Sequence, residues 1–436
     1  MYHRMNKLFT GKKLLVLAGH ATSSCEIVEY AKSQGAYVIV TDYLDPMDSP
    51  AKQLADESWM ISTADVDLLE KRAREYDIDG IFTGTNDFHI ERTIELCERL
   101  NLPIYCNREQ WEICNNKQHF KQLCRNHDVP VIPEYNLTHE FLRGDLDKIQ
   151  YPVILKPVDS GGSKGISVCY DENELIDAYN KALSYSTSKH VIVERYMSGT
   201  EAVLYCTIQD GYVSLSAMCD RYTNREQNGL APLPTAYIFP SRYLSTYLKL
   251  DHKNVQKMYQ SIGLKNGFIF LQAFIDNDRL CCYEMGCRIA GAQGHKIVSA
   301  VNDINALQML VNYQLTGIMS GWDVRVADNP KFPKMACKLT PLLKTGKIGR
   351  IIGLDKIEKL PGVKEIVPVH KEGDIIDKEG TLEQILVRIF LTADSKYSLA
   401  TVIDQIQNTL QVTDENGQNM LLNGFDTRTL TENDYY

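Results

Sequence analysis

The chain has 436 residues, 44% hydrophobic and 24% charged, with a formal net charge of −9. That length exceeds one ordinary hydrophobic core and predicts two or three domains. The acidic balance argues against nucleic acid as a partner, and no apolar run reaches the roughly 18 residues of a membrane span. The opening segment MYHRMNKLFTGKK is polar and lacks the apolar core of a secretory signal. Twelve cysteines, mostly within apolar runs and with no CxxC pair, read as buried reduced thiols of a cytoplasmic protein.

Over the first hundred residues, strands expected at 14–18, 37–41, 80–83 and 103–105 alternate with helices at 24–34, 66–76 and 90–100. Alternation of this kind predicts a parallel, doubly wound, Rossmann-like α/β domain over residues 1–113. Its first turn, AGHATSSC, holds one glycine where a dinucleotide fingerprint needs three. The turn therefore points away from NAD, despite Asp42 after the second strand. His20 and Asp87 follow predicted strands, where open sheets bind ligands.

Residues 107–128 carry a helical pattern, which the prolines of VPVIP then break. Strands at 153–156, 166–169, 191–194 and 202–208, with a helix at 174–183, suggest a small α+β subdomain. Residues 222–240, containing NGLAPLPT, read as a long loop of the functional or mobile kind. A hairpin over 268–275 and 280–284 and a helix over 303–315 follow. The stretch ADNPKFPK marks a linker at 327–334. Beyond it, IGRIIGL, VKEIVPVH and VRIFLTA are strands, and 398–410 is an amphipathic helix with Leu399, Val402, Ile403, Ile406 and Leu410 on one stripe. The organisation is thus 1–113, a middle α+β domain over 114–326 with a subdomain at about 130–194, and a small α+β domain over 335–425. The last dozen residues read as poorly ordered.

The stretch ILKPVDSGGSKGISV places Lys156 at a strand end before a Gly/Ser-rich tip. It is not a P-loop, which would put lysine after the last glycine and a helix behind it. A strand–tip–strand hairpin offers the Gly161 and Gly162 amides and the Ser160 and Ser163 hydroxyls to phosphate oxygens, with Lys156 as a fixed charge. By itself the same stretch also fits a lysine snorkelling beside an ordinary turn.

Three segments decide between these readings: Lys117 in NNKQHFKQLC before VPVIP, YPVILKPVDSGGSKGISV, and VIVERYMSGTEA, in that order. Together they resemble the ATP-grasp superfamily of ligases over residues from about 14 to 315, and more weakly beyond. The resemblance implies ATP held between two α+β subdomains under the glycine-rich hairpin as a lid. Lys117 and Lys156 match the phosphate-holding lysines. Glu194, Tyr196 and Met197 match the hinge that reads the adenine edge, and Glu201 the acid that accepts from ribose. A strand stopping at a polar hinge also leaves N–H and C=O groups for such an edge.

Gln272 and Glu284 match the family's magnesium ligands, with manganese as an alternative cation. Side chains alternate along strands, so these two converge only across a loop with an odd number of residues. The expectation is a three-residue loop, Asn277-Asp278-Arg279. The family's usual Glu-x-Asn-x-Arg appears here as Glu284-Met285-Gly286-Cys287-Arg288, so glycine replaces one ligand. Magnesium accepts water in its place. Arg288, always charged and bidentate, matches the residue that neutralises the transferred phosphoryl or acyl phosphate. Lys164 at the lid tip, His295, Arg221 and Arg225 are weaker candidates for substrate contacts.

The resemblance implies a cytoplasmic carboxylate–amine ligase, similar to L-amino acid ligases and carbamoyl-phosphate synthase-like single ATP-grasp proteins, acting on amino-acid or peptide-like substrates. It uses ATP and magnesium to form an acyl phosphate, which a small-molecule amine then displaces. A homodimer stays open. A bicarbonate- or carbamoyl-phosphate-type synthetase and a non-catalytic ATP-binding subunit are the alternatives.

Overall fold

The computed structural model describes residues 7–159, 165–224 and 232–432. Near the N-terminus, strands Glu57–Trp59, Tyr37–Thr41, Lys13–Leu17 and Gly80–Thr83 form a parallel four-stranded sheet in that order. Its three longer strands are largely apolar along their length, as strands covered on both faces must be. One face packs under Ile27, Val28 and Ile94, the other under Leu69, Leu96 and Trp59. The expected strand at 103–105 is absent: 103–107 is irregular chain, with Tyr105 and Cys106 buried by packing alone. The short strand Glu57–Trp59 and helix Pro50–Leu54 carry too few residues for a visible period.

The helical pattern at 107–128 is two helices, Arg108–Asn115 and Lys117–Asn126. Asn116 separates them by taking extended backbone, and its side chain accepts from the amides of Gln118 and His119. This cap starts the second helix at Lys117.

Strands Glu134–Tyr135, Val191–Arg195, Val153–Pro157 and Ser167–Cys169 form a second, antiparallel sheet. Helix Glu172–Tyr185 covers it with Leu175, Ala178, Tyr179 and Ala182. The strand expected at 202–208 does not belong to it. As Glu201–Gln209, that strand lies inside an eight-stranded sheet.

The order in that sheet is Arg279–Gly286, Gly267–Asp276, Glu201–Gln209, Tyr212–Asn224, Leu233–Phe239, Met335–Leu339, Val387–Ala393 and Val363–Pro368. Among the described residues of the loop expected at 222–240, 222–224 ends strand Tyr212–Asn224 and Leu233–Phe239 is a strand buried along its length, an apolar run that Pro234 disguises. Beyond the linker the chain rejoins this same sheet. Ala236–Phe239 pairs with Ala336–Leu339, so the C-terminal strands continue the central sheet rather than stand apart. An unpaired edge at Leu233–Phe239 would expose a row of backbone groups, and Met335–Leu339 covers it. Helix Lys396–Thr409 packs Leu399, Ile403 and Ile406 on this extension. No described helix is long and apolar enough to cross a membrane.

Candidate active site

The helix begun at Lys117 carries Lys121 one turn later, on a face turned inward. Lys121 is fully buried and bonds Glu134 at 2.7 Å and also Glu194. Lys156, on the neighbouring strand, meets the other oxygen of Glu194 at 2.6 Å. Cross-strand register sets this up, since Ile154 pairs with Glu194 and Lys156 with Ile192. Burial disfavours the charged form of Glu194, yet the ammonium groups of Lys156 and Lys121 hold its carboxyl below the usual range. Lys117 is pushed down by burial; Glu284 opposes the change and Lys156 adds to it. Glu194, expected at the adenine hinge, is thus a buried strut that fixes Lys156.

The hinge backbone behind it is selective. The N–H of Arg195 donates to Pro133 and that of Tyr196 to Pro152. Among the described residues Met197 has no backbone partner for its N–H. Its side chain joins Ile132, Cys281, Phe274 and Tyr283 in a small apolar cluster. An apolar wall beside one spare amide suits a flat heteroaromatic edge. Glu201 is buried and accepts from Arg221 and, at 3.0 Å, from Tyr283; both bonds fall on Oε2. No hydrogen bond falls on its Oε1 among the described residues.

The hairpin places its ligand candidates together by another route than expected. Asp276 pairs with Arg279, so the turn is the two residues Asn277 and Asp278, both in left-handed backbone with φ of 49° and 61°. A two-residue turn alone would put Gln272 and Glu284 on opposite faces. A bulge at Tyr283 corrects the register, pairing Ala273 with Cys282 but Gln272 with Glu284. Both side chains lack any hydrogen bond or ion pair among the described residues. A carboxylate and an amide oxygen side by side, unspent, fit a hard divalent cation such as magnesium.

Gly286, where the Glu-x-Asn-x-Arg pattern has asparagine, pairs directly with Phe270. A Cβ on Gly286 would stand 2.4 Å from Cε1 and 2.5 Å from Cζ of that ring. The phenyl group therefore occupies the space into which an asparagine side chain at this position would project. The same ring lies 5.0 Å from the Arg288 guanidinium, whose Nε donates to Asp87. Asp87 opens helix Asp87–Leu100 of the N-terminal domain, which thereby reaches the site.

Two clefts meet here. One of about 530 Å³ is lined by Gln272, Glu284, Arg288, Phe270, Arg221 and Tyr237, among others. The other, of about 420 Å³, is lined by Lys117, Asp87 and Glu284. Asp87, Asp159 and Glu284 border both. The Glu284 carboxylate thus stands between the Lys117 side and the Arg288 side.

Ser160, Gly161, Gly162, Ser163, Lys164 and Arg225 lie outside the described residues. His295 opens helix His295–Asn302 and, away from both clefts, approaches Glu26 at 3.5 Å. His20 pairs with Asp42 at 3.4 Å, so the first turn is held by its own domain. Lys121, Asp159 and Phe270 escaped the sequence reading. Only Lys121, four residues after Lys117 on one helix, carried a visible signal.

Residues 116–301 match the family model described as carbamoyl-phosphate synthase L chain, ATP binding domain. Formate-dependent phosphoribosylglycinamide formyltransferase of Prochlorococcus marinus is 29% identical over 198 residues, 44% of this chain and 50% of that protein. The chain thus spans about half the length of the curated relatives it matches. L-amino acid ligase from Bacillus licheniformis has a similar fold, with a TM-score of 0.76 at 20% identity over 93% of this chain and 99% of the other. The biotin carboxylase domain of Hydrogenobacter thermophilus 2-oxoglutarate carboxylase, solved with MgADP and bicarbonate, gives 0.73 at 19% identity, over 94% and 91% of the two chains.

Proposed function

With an ATP-grasp domain over residues 116–301, we propose that the chain is an ADP-forming carboxylate–amine ligase using ATP and magnesium. A carboxylate oxygen of the first substrate attacks the γ-phosphorus, the bond to the β–γ bridging oxygen breaks, and ADP leaves. The amine nitrogen then attacks the acyl carbon, the bond from carbon to the phosphate oxygen breaks, and the nitrogen loses a proton. Positioning and charge neutralisation supply most of the rate in such transfers.

The residues divide that work. Lys117 and Lys156 hold phosphate oxygens, the second oriented by Glu194 and Lys121. Met197 and its apolar neighbours take the adenine, and Glu201 Oε1 a ribose hydroxyl. Gln272 and Glu284 would hold magnesium, which would supply positive charge against the phosphate oxygens. Arg288, steadied by Asp87 and Phe270, faces the acyl phosphate. The observation that carries the reading is the bulge-aligned Gln272–Glu284 pair at the junction of the two clefts.

The test incubates the purified chain with Mg-ATP and pairs of small acids, from formate to amino acids, with amines, and follows ADP and products by mass spectrometry. The reading expects ADP release that depends on both an acid and an amine. Phe270 in the place of a third ligand favours a second reading, a nucleotide-binding subunit without turnover. Tight Mg-ATP binding with no ADP from any pair would select it. Bicarbonate alone driving ADP release would point to a carboxylating synthetase. A homodimer belongs to the same proposal and is read from sedimentation of the full chain.

A further inference from the structure

The active-site face of the central sheet continues past the cleft. Register carries one face from Glu201 to Arg221, Tyr237, Lys338 and Phe390, strand by strand. Arg388, two residues before Phe390, shares that face. The 530 Å³ cleft reaches Arg221, Pro234, Tyr237 and Leu382, and the next side chain outward is Lys338.

Lys338 is 2% exposed, with its Nζ 3.4 Å from the centroid of the Tyr237 ring. It has no hydrogen bond or ion pair among the described residues, and neither has half-buried Arg388. The neighbouring anions are already committed: Glu201 to Arg221, and Glu365 to Lys296 at 2.8 Å. Burial pushes Lys338 well below its ordinary value, and the nearby Arg388 and Arg221 push the same way. Arg388 is likewise pushed down by burial. A buried ammonium and a half-buried guanidinium without a counter-charge among the described residues cost free energy that an ordinary core would avoid with apolar side chains. A ring face recovers only part of it.

We propose that Lys338 and Arg388 form an oxyanion subsite at the Tyr237 end of the cleft, so that a ligase substrate carries a second anionic group, a carboxylate or a phosphate. This rests on the ligase reading and adds the substrate's class to it. The anion completes the charge that the sheet leaves open and orients the substrate's reacting end toward Arg288. Arg221, balanced by Glu201 and hydrogen-bonded to the Tyr237 hydroxyl at 3.3 Å, forms the near wall.

The test uses the full chain with Mg-ADP at saturation and follows melting temperature and calorimetric titration. The probes are inorganic phosphate and succinate, against chloride at matched ionic strength. The wild-type chain is expected to bind one of the two: phosphate if the substrate is phosphorylated, succinate if it carries a second carboxylate. Lys338→Met and Arg388→Gln should each weaken that binding by about tenfold or more, as loss of a charged hydrogen bond does. Mg-ADP affinity should stay within about twofold. Lys338→Met removes a buried charge at nearly constant volume and should melt no lower than wild type without ligand.

Equal binding in wild type and both variants would overturn the subsite, because the anion would then sit elsewhere, for instance beside Lys117. Failure of both probes to exceed chloride would overturn it too. Absence of Mg-ADP binding would instead sink the ligase reading and leave the anion arm legible.

Discussion

Replacing Gly286 with asparagine restores the residue that the ATP-grasp pattern expects, and here it should damage the protein. The new Cβ would stand 2.4 and 2.5 Å from two Phe270 ring atoms, distances that force one group to move. The ring is 4% exposed and lies 5.0 Å from the Arg288 guanidinium, so moving it aside disturbs that contact and the packing around it. Overpacking of this kind costs about 1–3 kcal/mol. Phe270→Ala alone removes a buried ring and costs about 3–5 kcal/mol. Combined, the asparagine fills space the ring has left, so the double variant should be more stable than the sum predicts by about 1–3 kcal/mol. Urea unfolding of the four proteins measures this coupling from the midpoints and slopes. Additivity within about 0.5 kcal/mol, or a neutral Gly286→Asn, would refute the claim that Phe270 fills the third ligand's place.

Glu194→Gln leaves Lys121 enclosed without its main counter-charge, and should lower stability by about 3–5 kcal/mol in urea unfolding; a loss below about 1 kcal/mol would contradict the buried strut. Burial alone would raise Glu26, but His295 and Lys296 hold its carboxyl at about 2 against an ordinary 4.5. The folded value is the lower one, so this stabilisation is full above about pH 5 and lost as pH falls toward 2, amounting to about 3 kcal/mol. Glu26→Gln should flatten the stability profile over that window, and an unchanged acid limb would count against the pairing. Glu284→Gln should raise the magnesium concentration for half-maximal nucleotide binding by about tenfold or more, measured by titration calorimetry. Lys117→Met should weaken ATP binding more than adenosine binding, since the lysine acts on phosphates.

The N-terminal sheet was legible because its strands are buried on both faces and its helices have caps and amphipathic stripes. Asp65 caps the helix at its expected start, whereas the helix capped by Asn86 begins at Asp87, three residues before the expected 90. Strand membership was not legible where it depends on a distant partner. Glu201–Gln209 looks local to Val191–Arg195, yet its hydrogen bonds go to Gly267–Asp276 and Tyr212–Asn224. In the same way, Met335–Leu339 reveals its place only through Leu233–Phe239.

The site follows the same division. The types and order of Lys117, Lys156, Gln272, Glu284 and Arg288 are visible in the chain. The bulge at Tyr283 is not, because alternation predicts only the parity of a loop and a bulge changes that parity. Gly286 visibly departs from the Glu-x-Asn-x-Arg pattern, but the ring that would meet a side chain there lies sixteen positions earlier in the chain, brought opposite by strand register. Lys338 sits in an apolar run whose sequence gives no sign of an open charge.

The central claim is an acyl phosphate formed from a carboxylate and ATP. The measurement is oxygen transfer: acids labelled with 18O in the carboxylate, formate and amino acids among them, are turned over with Mg-ATP and an amine. The account predicts that the inorganic phosphate released carries one 18O from the acid for each ADP formed. ADP and phosphate released without the label, or no ADP with any acid while Mg-ATP binds, would contradict it.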